Sequence, residues 1–219
     1  IIRQEPSNLD AKLQLAQLLE RGGRTEEAIG TWGRLYEQNG QDVEIAARYV
    51  AALARARKFE QVLVVTRSML QQDPKNAFAR RTILIALEEL QQYDEGLGLV
   101  RQWLKEEGLT PPDRVLYRMV LVKLCEKARQ FDLGHKELDQ WIAEASIDED
   151  RNNWRMLKLN LYVVADQADR AEAMARDWDK REGQDEGKQT LIASLLTHKK
   201  YEPAERVCRQ WLREKPDSS

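Results

Sequence analysis

The sequence predicts an all-α protein, built as a solenoid of about six antiparallel helix pairs. An acidic residue followed two positions later by a small or short residue recurs six times along the 219-residue chain. The steps between the small or short residues are 34, 34, 38, 37 and 33 positions, the period of helical repeat proteins. A large apolar residue follows each of them after seven positions, which indicates one apolar helix face. The small or short residues are Ala28, Val62, Gly96, Gly134, Ala171 and Ala204, and the apolar residues are Leu35, Met69, Trp103, Trp141, Trp178 and Trp211.

This register divides the chain into repeats. Ile1–Asn8 matches Met69–Asn76, which ends one repeat and opens the next. We therefore expect the chain to be a piece of a longer protein, with the end of a preceding repeat at its start. The predicted segments are residues 1–8 for that preceding repeat and residues 9–41, 42–74, 75–110, 111–147, 148–184 and 185–219 for repeats one to six.

In repeats one to three, the helix boundaries follow from caps and breakers. The apolar stripe that ends at Leu19 predicts the first helix, and Gly22-Gly23 stops it. Thr25, Asp42 and Asn76 have the side-chain oxygens expected of N-caps. The helices predicted next are Val43–Ala56 and Phe59–Gln72 in repeat two, and Ala77–Leu90 and Tyr93–Glu107 in repeat three.

Repeats four to six contain the irregular features. Gly108–Pro112 is the longest break and accounts for the step of 38 residues, since proline cannot continue the preceding helix. Asp148–Asp150 is predicted to be an acidic linker. In repeat five, Asp179 stands where the other repeats have an apolar residue, so we expect weaker packing there. The predicted helices are Asp113–Ala128, Phe131–Ala145, Trp154–Val164, an alanine-rich segment from Ala168, Asp185–His198 and Tyr201–Glu214, and the tryptophans that end four second helices are expected to pack between repeats.

These residues resemble the tetratricopeptide repeat (TPR) family. That family has a small residue early in the second helix, an aromatic residue four positions later, and a proline near the end of the repeat. The small residue is matched in every repeat except the second, where Val62 stands, whereas Trp32 is the only match to the aromatic residue. Pro6, Pro74 and Pro111 match the proline. The resemblance covers the whole chain and implies a right-handed superhelix that binds a protein or a peptide and is not an enzyme.

Composition argues against two other classes of function. The chain has 35 basic and 37 acidic side chains and a pI of about 5.9, which gives no overall support for a nucleic-acid-binding surface. No apolar run approaches the roughly 20 residues of a membrane span. We therefore expect neither nucleic-acid binding nor membrane insertion.

Chemically reactive side chains are few. Cys125 and Cys208 lie two repeats apart, so we expect two buried free thiols and no disulfide. His135 and His198 each lie ten residues from a cysteine, but a structural zinc site needs four converging ligands. With no phosphate-binding loop and no catalytic triad in the sequence, we predict no cofactor, no metal and no enzymatic activity.

The resemblance also implies where a partner binds, because the first helices of TPR pairs line a concave groove. Apolar side chains rimmed by charge are typical of interaction sites. Of the basic and asparagine positions with which some TPR proteins hold a terminal carboxylate, only Arg81 is matched, so that mode of binding is not predicted. The residues predicted to line the groove are Arg48, Phe78, Arg81, Ile85, Met119, Lys123, Met156 and Asn160.

We therefore predict a protein-interaction module or scaffold that binds a peptide, a helix or a partner domain. Two alternatives stay open. One is a regulatory or targeting arm of a larger enzyme or of a secretion or assembly machine. The other is a scaffold that associates with itself through its ends, where Ile1, Ile2, Trp211 and Leu212 would be exposed.

Overall fold

The computed structural model describes residues 9–183 and 185–214, which form twelve α-helices and no strand. The chain divides into two compact units, residues 1–96 and 97–219, with the division inside the sixth helix. The predicted all-α fold class is confirmed. No helix in the described part of the chain is long and apolar enough to cross a membrane.

In the first unit, successive helices pack against each other in chain order. Its core consists of buried apolar residues that include Trp32, Leu53 and Leu87. The resemblance of Ile1–Asn8 to a repeat end lies outside the described residues. The helices are α1 (Leu9–Arg21), α2 (Thr25–Gln38), α3 (Val43–Arg55), α4 (Phe59–Gln72), α5 (Ala77–Glu89) and the first residues of α6 (Tyr93–Trp103).

The second unit has the same order of contacts, and in addition α9 packs directly on α11. First helices of neighbouring pairs therefore lie side by side there. The core of its last two pairs includes Leu159, Trp178 and Leu191. The helices are α7 (Pro111–Lys127), α8 (Phe131–Glu144), α9 (Asp148–Val164), α10 (Ala168–Glu182), α11 (Glu186–Thr197) and α12 (Tyr201–Glu214).

Every turn from the first to the second helix of a pair has the same backbone geometry. In the second pair, Arg57 has a φ of 57°, and the Lys58 N–H donates to the Leu53 carbonyl oxygen at 2.9 Å. This is the 6→1 bond of a Schellman turn, which satisfies carbonyl groups at the helix end. The same bond closes the other five turns, whose residues with positive φ are Gly23, Gln91, Arg129, Asp166 and Lys199.

Two of the three predicted N-caps are confirmed. The Asp42 side chain accepts from the N–H groups of Glu44 and Ile45, and the Asn76 side chain accepts from the Ala79 N–H at 2.9 Å. The prediction for Thr25 is wrong, because Thr25 is the first helical residue and Arg24 precedes it without a side-chain cap. The Schellman turn fixes the entry of α2 through the backbone.

Two predicted helix boundaries differ from the structure by four residues or more. α6 ends at Trp103, four residues before Glu107, and the Leu104 carbonyl oxygen accepts from Arg114 Nη1 at 3.2 Å. α9 begins at Asp148, so the expected linker is its first turn. Its three carboxylates lie at the positive end of the helix dipole, where negative charge is stabilising.

In each of the last three pairs, a basic residue of the first helix contacts a tryptophan and a glutamate of the second helix. The Arg118 guanidinium lies 4.9 Å from the centre of the Trp141 ring and forms an ion pair with Glu144 at 2.8 Å. A cation over an aromatic ring is attracted by the electron-rich face. Arg155, Trp178 and Glu182 repeat this arrangement in the fifth pair, and Lys188, Trp211 and Glu214 repeat it in the sixth.

The tryptophans also contact the next pair, as the sequence predicts. The Trp103 ring lies 5.4 Å from the Tyr117 ring, and the Trp141 ring lies 5.4 Å from the Trp154 ring in an edge-to-face arrangement. Trp103 and Trp141 are both buried. One residue type thus joins the two helices of a pair and neighbouring pairs.

Candidate functional site

Exposed apolar side chains are concentrated on the first helices of the pairs. In residues 9–183 and 185–214, most large apolar residues with high exposure lie on α1, α3, α5, α7, α9 and α11. Those on second helices are Val64, Tyr201 and Leu212. Burying such side chains would be favourable, so this distribution identifies the first helices as the candidate interaction surface.

In the first unit, the predicted site residues on this surface lie on α3 and α5. Phe78, Arg81 and Ile85 follow one another at steps of three and four residues, which places them on one side of the helix. Phe78 is 40% exposed and Ile85 is 50% exposed, and Arg81 is also exposed. Arg48 on α3 is exposed and forms an ion pair with Glu44 at 3.7 Å. We call Phe78, Arg81 and Ile85 the α5 face.

In the second unit, the corresponding side chains lie on two first helices. Met119 and Lys123 are exposed on α7, and Met156 is exposed on α9. Met119 is 51% exposed and Met156 is 47% exposed, on two helices that contact each other. We call Met119, Lys123, Met156 and Asn160 the α7–α9 face.

Asn160 is the one predicted site residue whose side chain is only partly exposed. Its Oδ1 accepts from Ser194 Oγ at 3.0 Å and from His198 Nε2 at 2.9 Å, which requires the His198 tautomer protonated at Nε2. The Asn160 oxygen therefore joins α9 to α11.

At the start of α7, sequence reasoning missed Val115 as part of this surface. Val115 is 43% exposed and Leu116 is 42% exposed. Adjacent apolar residues are elsewhere buried together in this fold, as at Ile45 and Ala46, so the pair by itself did not indicate exposure.

Of the four cysteine and histidine side chains, Cys125 and His135 are buried in the core. Cys125 is a free, fully buried thiol, and burial raises its pKa to about 12. Cys208 is also free but only half-buried, so the prediction that both thiols are buried holds for Cys125 alone. Among the described residues, no three histidine, cysteine, aspartate or glutamate side chains converge on a metal position.

His135 is buried and packs against an aromatic ring. Its imidazole stacks on the Tyr162 ring with 3.8 Å between ring centres, and neither ring nitrogen has a hydrogen-bond partner among the described residues. Burial, followed by repulsion from Lys158, lowers the His135 pKa to about 4. The ring is therefore neutral at physiological pH and serves as a packing residue.

The fold is shared with solved TPR structures. No protein-family model matches the sequence, and no curated protein is significantly similar to it. A tetratricopeptide repeat protein from Parabacteroides merdae is similar over 95% of this chain and 80% of its own, with a TM-score of 0.54 and 16% identity.

Two further structures have the same arrangement of helices. The structure of Naa15/Naa10 bound to HypK-THB contains a chain that is similar over 99% of this chain, with a TM-score of 0.63 and 14% identity, and this chain spans 33% of that one. The MamA RS-1 ArsTM double mutant is similar over 78% of this chain and 96% of its own, with a TM-score of 0.51 and 16% identity. The chain therefore has the helical-repeat fold of tetratricopeptide repeat proteins.

Proposed function

We propose that this protein is a protein-interaction module that captures a peptide, a helix or a partner domain on the exposed faces of its first helices. The observation that carries the proposal is the distribution of exposed apolar side chains, which favours the first helices over the second helices. A purely structural helix would place its large apolar residues toward its neighbours and its charges toward water.

The chemistry of the two faces favours an apolar partner segment with acidic residues. Phe78 and Ile85 supply apolar area on the α5 face, and Met119 and Met156 supply it on the α7–α9 face. Methionine is flexible and adapts to partners of different shape. Arg81 and Lys123 add positive charge beside these apolar groups, which would attract an acidic segment during encounter.

The proposal also agrees with one similar structure, in which a chain of this fold is part of a complex of proteins. Naa15/Naa10 bound to HypK-THB is a complex of several proteins, and one of its chains has the fold described above. A helical repeat offers an extended surface that can hold a partner without carrying out chemistry itself.

A pull-down with purified variants tests the proposal. We expect Phe78→Ala and Met119→Ala each to remove capture of a partner, because truncating a central apolar contact costs about 2 kcal/mol or more. Both variants should keep the helical circular-dichroism signal of the wild type, since the deleted side chains are exposed. Arg81→Glu should lower the association rate more than it raises the dissociation rate.

The matched controls are substitutions on second helices. Val64 on α4 is 68% exposed, and Lys136 on α8 is exposed, so Val64→Ala and Lys136→Ala delete side chains of similar accessibility. We expect both control variants to capture the partner as the wild type does. Loss of capture in the controls with normal capture in Phe78→Ala and Met119→Ala would contradict the proposal.

Self-association is a second candidate function, favoured by the exposure of the last helix. Leu212 is 69% exposed and Tyr201 is 63% exposed, both on α12. Trp211 is half-buried, and Ile1 and Ile2 lie outside the described residues. Light scattering over a range of concentrations tests this candidate: a mass that rises with concentration and falls in Leu212→Ser would support it, and a constant monomer mass would contradict it.

A further inference from the structure

A cleft of about 270 Å³ lies in the second unit, where the repeat spacing lengthens to 38 residues. α6 has 11 residues, whereas α8 has 14 and α10 has 15. After this short helix, Gly108 turns the chain with a φ of 74°, and Thr110 caps α7 by accepting from the Asp113 N–H at 3.3 Å. The early end of α6 leaves room between its last residues, α7 and the end of α8.

Charged side chains dominate the lining of this cleft. Two of its four basic groups are paired: Arg101 with Glu137 at 3.4 Å, and Arg118 with Glu144 at 2.8 Å. The paired glutamates come from α8, so both ion pairs cross the cleft between elements. The charged lining residues are Arg101, Lys105, Arg114, Arg118, Glu137 and Glu144.

The other two basic groups have no carboxylate partner in the described part of the chain. Arg114 is half-buried, and its Nη1 donates to the Leu104 carbonyl oxygen at 3.2 Å. That bond holds the guanidinium at the cleft and uses one of its five N–H donors. Lys105 is exposed at the rim. A cation held in a cleft without a counter-charge is suited to an incoming anion.

We propose that this cleft is a binding site for a phosphate group, held mainly by Arg114 and Lys105. The planar guanidinium of arginine can donate two parallel hydrogen bonds to phosphate oxygens, and lysine adds a point charge. The group could be free phosphate or a phosphorylated side chain, which present the same oxygens.

The charge balance favours a dianion over a simple carboxylate. Four basic and two acidic lining groups leave a formal surplus of two positive charges. A phosphate monoester carries about −1.5 to −2 at pH 7 and neutralises that surplus, whereas a single carboxylate neutralises half of it. The surplus is local, because the chain as a whole has a formal net charge of −2.

This site is separate from the proposed partner surface. Arg114 and Arg118 are one turn apart and share one side of α7, while Met119 and Lys123 lie on the opposite side at 100° per residue. Failure of one proposal therefore leaves the other unaffected.

Calorimetric titration of the purified protein at low salt tests the site. The probes are inorganic phosphate and N-acetyl-O-phosphoserine amide, with acetate and N-acetylserine amide as controls. We expect saturable binding of the phosphate probes and at least about tenfold weaker binding in Arg114→Gln, because hydrogen bonds to charged groups are strong. Lys105→Gln should weaken binding about threefold, as expected for an exposed cation. Lys136→Gln, an exposed lysine outside the cleft, is the matched control and should bind as the wild type does.

The outcomes separate the sources of the phosphate group. Equal affinity for both phosphate probes would support a free anion as ligand, and tighter binding of the phosphoserine probe would support a phosphorylated side chain. Lys105→Gln keeps the test valid if Arg114→Gln does not fold, since Lys105 is exposed. The proposal would be overturned by an absence of saturable phosphate binding, by acetate binding as tightly as phosphate, or by Lys105→Gln and Lys136→Gln binding alike.

Discussion

At the scale of single residues, Asp179 has a structural role that the repeat pattern in the sequence does not predict. It is 9% exposed, and its carboxylate accepts from the N–H groups of Gly187 at 2.6 Å and Lys188 at 3.2 Å. Those amides belong to the first turn of α11, while the Asp185 side chain makes no cap bond. Asp179 therefore caps the next helix from the end of α10, and the expectation of weaker packing at this position does not describe its role.

Gly187 completes this arrangement by allowing close approach of the two helices. A Cβ atom at this position would come within 2.8 Å of Asp179 Oδ1 and would overlap the Ala175 carbonyl oxygen. Burial raises the pKa of the Asp179 carboxyl, and the two N–H groups oppose that rise. Any side chain at position 187 would separate the Asp179 carboxylate from the N–H groups that donate hydrogen bonds to it.

Asp179→Leu distinguishes the two interpretations of this residue. If position 179 were an apolar site occupied by an unsuitable polar residue, replacing Asp179 with leucine would stabilise the protein. Because it caps α11, we expect Asp179→Leu to lower the free energy of unfolding by about 1–2 kcal/mol, measured by urea denaturation. The control Asp177→Leu, at an exposed aspartate two residues earlier, should change stability by less than about 0.5 kcal/mol. A more stable Asp179→Leu variant would contradict the capping role.

His135 makes stability depend on pH in a defined direction. Its pKa is about 4 in the folded protein and about 6.5 in the unfolded chain, so the unfolded chain binds the proton first as the pH falls. We expect stability to decrease between about pH 6.5 and pH 4. His135→Phe keeps an aromatic ring against Tyr162 and cannot titrate. From about pH 7.5 to pH 5, the wild type should lose about 1 kcal/mol more than this variant, and equal losses would refute the assignment.

At the scale of elements, the turns within pairs are specified by backbone hydrogen bonds more than by residue type. Five of the six turns place a residue other than glycine at positive φ, although only Gly23 is the expected residue there. The left-handed conformation costs a residue with a Cβ about 1–2 kcal/mol. The 6→1 and neighbouring bonds, together with packing of the paired helices, offset that cost.

Substitution at Gln91 measures this backbone cost. Gln91 is exposed and has a φ of 57°. We expect Gln91→Gly to be more stable than Gln91→Ala by about 1 kcal/mol in thermal or urea unfolding, because glycine adopts positive φ without steric conflict. At the next residue, Gln92, the order should reverse. Equal stability of Gln91→Gly and Gln91→Ala would show that the turn is not strained.

The sequence predicts the elements well because the period of the repeat constrains every copy at once. Twelve helices, their pairing and the turn positions follow from the recurring small residues and their apolar partners. The end of α6 and the start of α9 do not follow from the period. The end of α6 is accompanied by the hydrogen bond from Arg114 to the Leu104 carbonyl oxygen, and α9 starts with three acidic residues in its first turn. Periodicity describes neither a bond between separate segments nor the charge preference of a helix end.

At the scale of the whole molecule, the candidate surface is predictable in part. Phe78, Ile85, Met119 and Met156, which the sequence predicts to line a concave groove, are exposed on first helices, and the groove itself stays a prediction. The bonds from Asn160 to α11 and the cleft beside α6 were not predictable, because they arise from the meeting of side chains on separate helices.

If the apolar faces serve a partner, their side chains should contribute little to folding. We expect Met119→Ser to change the free energy of unfolding by less than about 0.5 kcal/mol, because the side chain is 51% exposed. Leu121→Ala, two residues further at a fully buried position, should cost about 2–5 kcal/mol. A loss of similar size in both variants would mean that Met119 belongs to the core.

Site-specific photo-crosslinking tests the central claim most directly, because it maps a contact surface whatever the identity of the partner. A photoreactive phenylalanine analogue is placed at Phe78 or Met119 on the first helices, and at Val64 or Lys136 on the second helices, in cells that produce the protein. We predict adducts with a partner chain from positions 78 and 119 and none from positions 64 and 136. Adducts from positions 64 and 136, with none from 78 and 119, would place the partner on the second helices and contradict the account.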